Sequence, residues 1–378
     1  MPSQEGISCE GKDMRKYDKE LVNKIREKQY CEEHEGMNIL FKAVPDDDRP
    51  HAMDPRLYEI ASMKKKMFSN RAKGGFRLSN ERYRPDKVTY ELIENEIECD
   101  ERLISVNGTH MIDIFIYRRA DIKDQVTPVL VYLHGGGFTA GDIHLFEKQM
   151  KYIAEQSCAT VVFPEYRLGP ETPYPGAHED AFATVEYVYE HAEELHVDKE
   201  KLMVAGDSAG GVLTNACVQK DIEKGSNMIK KIYLLYPACD GRPISEITEY
   251  EWSYDSYPMI EEQREIATSR VERIKGSINT GGLNLYEQGF AKKNDPMMSA
   301  YLAEDEVLSR FPETVVNNAE FDYLRIGGEQ FAKKLHNLGV NVRLVTYCGC
   351  DHGILDMLGT VVQAEEICLC IADELKSL

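Results

Sequence analysis

The chain has 378 residues, 42% of them hydrophobic, and a formal net charge of -20 at pH 7. That length is ample for a large core and suits one big α/β domain with additions, or two domains. The acidic balance excludes a nucleic-acid binder, because a polyanion is repelled, and it disfavours anionic membrane surfaces.

The first residues, MPSQEGISCEGKDMRKYDKE, contain no apolar h-region, so no secretory signal is expected. No stretch reaches the length of a membrane span. The ten cysteines are scattered and not framed as in a small secreted scaffold. That predicts reduced thiols and a cytoplasmic location. Residues 1–90 read as a charged helical region. KYDKELVNKIREKQYCEEH carries Leu21 and Ile25 at helical spacing. DPRLYEIASMKKKMFS opens with Asp54 as N-cap and Pro55 at the first helical position, and lines up Leu57, Ile60 and Met63. RAKGGFRLSNERYRPDK then reads as a loop, the one linker-like stretch of the chain.

Near residue 90 the texture changes. ERLISV and MIDIFIYRR flank Asn107–Gly108, an antiparallel hairpin signal. TPVLVYLH, ATVVFPEYRL, KLMVAGDS, KIYLLYPA, ETVVNNAE and VRLVTYCG follow as short apolar runs. Helical patterns such as LFEKQMKYIAEQS and AFATVEYVYEHAEEL lie between most of them. The fold class is therefore α/β, with a mostly parallel central sheet and helices on both faces. The catalytic domain spans residues 91–378. Residues 241 to about 300 break the rhythm and are too long for an ordinary connection. They read as an insertion at the strand ends, where ligands bind in such sheets.

PVLVYLHGGGF ends a strand at His134 and follows it with Gly135, Gly136 and Gly137. Three glycines are a poor continuation of a strand. They make sense where bare backbone N–H groups must approach an oxyanion. The second signal is Gly206-Asp207-Ser208-Ala209-Gly210, a match to G-x-S-x-G. Three specified positions match by chance in roughly one chain in ten of this length, so the context decides. Here the motif follows a strand and opens a helix, as a nucleophile elbow requires. A serine hydroxyl needs a base and an orienting acid, later in the chain in the order Ser, acid, His. His352 follows the last apolar strand, and Asp322 follows the strand before it. Glu320 ranks behind Asp322, and Asp207 and Asp351 stand too close in sequence to their triad neighbours to orient the base.

Cys348, Cys350 and His352 would share one face of an extended segment. Zinc generally takes four ligands, and no second cluster has suitable spacing. Cys368 and Cys370 lie in a helical stretch, where such spacing does not face one partner. No metal and no cofactor are expected.

Four segments together resemble the hormone-sensitive-lipase-like branch of the α/β-hydrolases, the bacterial family IV esterases. They are HGGGF at His134–Phe138, YRLGPETPYPGAHED at Tyr166–Asp180, GDSAGG at Gly206–Gly211, and AEFDYLRIGGEQFAKKL through to DHG at the end. The resemblance covers about residues 92–378. It implies Ser208 as nucleophile, Asp322 as acid and His352 as base. It implies an oxyanion hole from the N–H groups of Gly136, Gly137 and Ala209, with His134 bracing the loop. It implies a cap made of the N-terminal helices plus the insertion, and a homodimer through the last strand and helix. The sequence departs from the family's pattern at Glu165, Gly169, Tyr323 and Ile326, none of them a triad member.

The implied function is a serine carboxylesterase acting on a small-molecule ester with a short acyl chain, acetyl among them, through an acyl-enzyme. Phe138, Asp207, Trp252 and Tyr257 are candidate substrate contacts. The same machinery serves an amidase or N-deacetylase. The rival of another class is a ligand-binding hydrolase homologue without activity; such proteins lose a triad member, and all three are present here.

Overall fold

Along Thr127–Leu133, Val129, Val131 and Leu133 enter one apolar core while Leu130 and Tyr132 enter another. Side chains alternate across a strand, so this strand is buried on both faces. The computed structural model describes residues 14–69, 77–83, 88–280, 282–292 and 294–378. Its strands are β1 (Tyr30–His34), β2 (Met37–Lys42), β3 (Ile97–Val106), β4 (His110–Arg119), β5 (Thr127–Leu133), β6 (Thr160–Pro164), β7 (Val197–Asp207), β8 (Lys231–Leu235), β9 (Glu313–Ala319) and β10 (Val342–Tyr347). Its helices are α1 (Glu20–Glu27), α2 (Pro55–Ser69), α3 (Leu78–Arg82), α4 (Ile143–Ser157), α5 (Gly176–Glu190), α6 (Ala209–Lys224), α7 (Arg264–Thr280), α8 (Gly282–Glu287), α9 (Asp305–Leu308), α10 (Arg325–Asn337) and α11 (Val362–Lys376).

All the strands join one sheet in the order β1-β2-β10-β9-β8-β7-β5-β6-β4-β3. From β2 through to β6 neighbouring strands run parallel, while the β1 and β3–β4 ends are antiparallel. Helices α5, α6 and α10 bury Val185, Leu213 and Phe331 on one face, and α4 and α11 bury Met150 and Ile371 on the other. Local signals set the helix ends. Asp142 caps α4, its carboxylate accepting from Leu145 N at 3.2 Å, and Gly225 ends α6 in the left-handed region at φ 67°.

Register aligns the strand ends that matter. Leu133 pairs with Gly206, Asp207 with Leu235, Leu235 with Asn317, and Ala319 with Tyr347. The loops after β5, β7, β9 and β10 therefore leave the sheet along one carboxyl edge, where ligands bind in such sheets.

The N-terminal region differs from the wholly helical expectation for residues 1–90. Helix stops at Glu27, and β1 and β2 form a hairpin across Glu35–Gly36, with φ 53° and 85°. A two-residue turn of this kind needs both central residues at positive φ. The strand signal is masked because β1 is a sheet edge with all five residues exposed, so it carries charges where a buried strand carries apolar groups. β2 pairs in parallel with β10, Leu344 opposite Ile39. Helix α1 packs Val22 and Ile25 against Val362 of α11. The hairpin and α1 thus extend the catalytic body, while α2 packs on the insertion, against α7, and Met53 just before it donates its N–H to Gln263 of the insertion at 2.6 Å. On α2 the buried positions are Leu57 and Ala61, and Met63 is exposed. The expected loop contains the short helix α3; residues 70–76 and 84–87 of that loop lie outside the described residues. The last strand is no edge: β10 lies between β9 and β2, so the expected dimer contact through it is occupied by the chain's own hairpin.

Candidate active site

Strand β7 ends at Asp207, and Ser208 follows with φ 53° and ψ -115° before α6 begins. A non-glycine residue held there is strained, and such strain concentrates at functional sites. Glycines make the turn possible. A Cβ on Gly206 would stand 2.3 Å from the Gly210 carbonyl oxygen, and one on Gly210 would stand 1.8 Å from that of Leu133. The elbow is therefore pressed against the start of the glycine loop after β5.

That loop is built from the elbow as well. Asp207 is buried, and its Oδ1 accepts from Gly135 N at 2.7 Å and from the Tyr132 hydroxyl at 2.9 Å. A Cβ on Gly135 would fall 2.3 Å from the Asp207 carboxylate. Gly136 has φ 130°, and its Cβ would meet the Ala140 carbonyl oxygen at 1.9 Å. Gly137 faces open space, and its φ of 62° is what favours glycine there. Among the described residues, none accepts from the backbone N–H of Gly136, Gly137 or Ala209. His134 is fully buried, stacked on Tyr166 with ring centroids 4.1 Å apart, and its Nδ1 lies 2.7 Å from the Gly135 carbonyl oxygen. The Tyr166 hydroxyl donates to the His134 carbonyl at 2.6 Å. His134 thus holds the loop from below.

The structure brings Ser208, His352 and Asp322 together from three strand ends. His352 Nε2 lies 2.9 Å from Ser208 Oγ, and its Nδ1 lies 2.6 Å from Asp322 Oδ2. Asp322 is fully buried, and its Oδ1 accepts from Leu324 N at 3.0 Å. One carboxylate thus orients the imidazole and starts the turn into α10. Glu320 is spent elsewhere: it accepts from Gly349 N at 2.7 Å and sits 2.7 Å from His51 Nδ1. Between Cys348 and buried Cys350, Gly349 takes φ 70°, which breaks the extended run that would have put Cys348, Cys350 and His352 on one face.

The four expected substrate contacts are otherwise engaged. Phe138 is buried and stacks on Tyr286 of α8 at 4.5 Å, beside His178, whose imidazole burial pushes down to about 4. Asp207 ties the elbow to the glycine loop. The Tyr257 hydroxyl donates to the Asp322 carbonyl at 3.1 Å, and Trp252 Nε1 donates to the Tyr323 carbonyl at 3.3 Å. Both insertion aromatics brace the segment that carries Asp322. Their polar handles explain why a Trp and a Tyr stand there.

Sequence reasoning missed the insertion's grip on the loop that carries His352. The Arg270 guanidinium of α7 donates to the buried Asp351 carboxylate, and Arg273 donates to the His352 carbonyl at 3.1 Å. Only the repeated Arg-x-x-Arg on a helical face signals it in the sequence. Glu165, at the end of β6, is also unusual. Burial is the main cause that pushes its carboxyl up to about 7, against the hydrogen bond it accepts from Ile143 N at 2.5 Å.

Comparison with known proteins follows from this geometry. Residues 130–356 match a family model described as alpha/beta hydrolase fold. The carboxylesterase NlhH of Mycobacterium tuberculosis is 29% identical over 296 residues, covering 78% of this chain and 87% of its own. The esterase LipI of the same organism is 30% identical over 252 residues, 66% of this chain and 73% of its own. A solved hyperthermophilic esterase from the archaeon Pyrobaculum calidifontis superposes with a TM-score of 0.70 at 27% identity, covering 86% of this chain and 98% of that chain.

Proposed function

The chain belongs to the alpha/beta hydrolase fold family, in its hormone-sensitive-lipase-like branch, and from that premise we propose a serine carboxylesterase that cleaves short-chain acyl esters through an acyl-enzyme. It is a carboxylic ester hydrolase, as its relatives are. The single observation that carries the mechanism is the relay of 2.9 Å from Ser208 Oγ to His352 Nε2 and 2.6 Å from Nδ1 to Asp322 Oδ2.

In this reading His352 Nε2 takes the Ser208 proton as Oγ attacks the ester carbonyl carbon. The carbonyl oxygen becomes an oxyanion and accepts from the N–H groups of Gly136, Gly137 and Ala209. One such donor contributes about 3–4 kcal/mol in comparable hydrolases. The N-terminus of α6 adds its partial positive charge. The tetrahedral adduct collapses, the ester C–O bond breaks, and His352 Nε2–H gives its proton to the leaving alcohol. Water, deprotonated by His352, then attacks the acyl-serine, and the acid leaves as Ser208 regains its proton. Asp322 keeps the proton on Nδ1 throughout and stabilises the imidazolium.

The free thiols of the described residues support work in a reducing compartment such as the cytoplasm. The test is turnover of 4-nitrophenyl esters from acetyl to decanoyl, with Ser208→Ala alongside. Turnover confined to the short members, and lost by about 10⁴-fold or more in the variant, is the expected result. A rate that rises with chain length overturns the short-chain reading.

A further inference from the structure

Strand β8 ends at Leu235, and the next residue, Tyr236, takes φ 35°. That is left-handed backbone under a bulky side chain, and the proline that follows it ordinarily pushes its predecessor to an extended conformation. Such strain persists only where the surroundings over-determine it, and it clusters at functional sites. The strain has a visible effect on direction. Along β8, Ile232 and Leu234 enter one core while Tyr233 and Leu235 enter the other. Alternation would send Tyr236 to the first core. The positive φ turns it instead into the second, beside Leu235.

Tyr236 joins all three segments that carry the relay. Its N–H donates to the Asn317 carbonyl at 2.5 Å, in the strand that leads to Asp322, and the Leu235 carbonyl beside it accepts from Ser208 N at 2.9 Å. Pro237 lies so close to the start of α6 that a Cβ on Gly211 would stand 2.8 Å from the proline Cβ. The buried Tyr236 side chain reaches the third segment. Its ring meets the His352 imidazole edge to face, with centroids 4.8 Å apart and planes 62° apart. Its hydroxyl accepts from Leu355 N at 3.3 Å, in the loop just after His352. An imidazole held only at Nδ1 and Nε2 can still swing about the line through those two contacts, and a ring packed against it stops that motion. Proton transfer is sensitive to misplacements of about 1 Å. Resting on the carboxylesterase reading, we propose that Tyr236 is a positioning residue of the reaction: its ring fixes the tilt of the His352 imidazole, and its hydroxyl fixes the loop that carries it.

Two matched pairs of variants test this. Tyr236→Phe keeps the ring and drops the hydroxyl, while Tyr236→Leu drops both. Tyr233→Phe and Tyr233→Leu make the same changes at a buried tyrosine in the middle of β8 and control for lost packing. Each folded protein is read by turnover of 4-nitrophenyl acetate and by the low-field NMR signal of the proton between His352 Nδ1 and Asp322. In Tyr236→Leu kcat should fall about 10–100-fold, and in Tyr236→Phe about 3–10-fold, with KM held within about threefold. The low-field signal should broaden or shift in both Tyr236 variants, most in Tyr236→Leu. Both Tyr233 variants should keep the wild-type signal and kcat. A folded Tyr236 variant whose kcat lies less than about threefold below wild type overturns the proposal. So does an unchanged low-field signal, a loss that falls on KM, or an equal loss at Tyr233. If Tyr236→Leu does not fold, Tyr236→Phe decides on the same limits. A folded wild-type protein that turns over no ester overturns the carboxylesterase reading instead, and the NMR signal then decides by itself whether Tyr236 orients His352.

Discussion

At the scale of single residues, the site is a set of close approaches that only particular side chains permit. Asp207 illustrates it: one carboxylate joins β7 to the glycine loop, and Gly135 is needed because any Cβ there would collide with it. Glu165 is the residue whose pH behaviour is most telling. Its carboxyl sits near 7 in the folded protein because burial disfavours the charged form, against an ordinary 4.5. The folded state therefore holds a proton that the unfolded state has released between those values. Stability is lost as pH rises from about 4.5 through 7. Glu165→Gln should raise stability at pH 8, by about 3 kcal/mol at most, and should bring little change at pH 5. Thermal unfolding at the two pH values checks this; an equal gain at both contradicts it. Ser208, Asp322 and His352 were legible because each is fixed to a strand end by a short motif. Arg270 and Asp351 were not, because their pairing joins an insertion helix to a loop 81 residues away and leaves no periodic trace.

At the scale of elements, the alternating strands and helices after residue 90 were legible from apolar runs and their spacing. The parallel core strands are buried on both faces, so their sequences are nearly continuous in apolar residues. The β1–β2 hairpin was hidden for the opposite reason, since an edge strand needs only half an apolar pattern and β1 shows none of it. Its role is physical closure. It pairs along β10, and the same N-terminal segment neutralises buried acids of α11: Arg15 forks onto Glu365 at 2.7 Å, and Lys42 meets Glu366 at 2.9 Å. Removing residues 1–44 would bare a long sheet edge and strand both carboxylates without those partners. The truncated chain should self-associate or precipitate, and sedimentation velocity beside the full chain measures it. A truncated protein that stays monodisperse, with unchanged thermal stability, contradicts this account of the hairpin.

At the scale of the whole molecule, one sheet collects Ser208, Asp322 and His352 at its carboxyl edge, and two segments far apart in the chain meet beside them. Helix α2 comes from the N-terminal region and α7 from the connection after β8, and they touch each other beside His352. His352 is thus oriented from below by Asp322 and held from above by α7. The central claim is that Ser208 carries the acyl group between the two halves of the reaction. It is tested most directly by quenching the enzyme in acid during turnover of 4-nitrophenyl acetate and locating the acetyl group by peptide mass spectrometry. The account predicts one acetyl group on the peptide containing Ser208, absent in Ser208→Ala. Acetylation confined to another residue, or ester turnover that persists in Ser208→Ala at the wild-type rate, would contradict it.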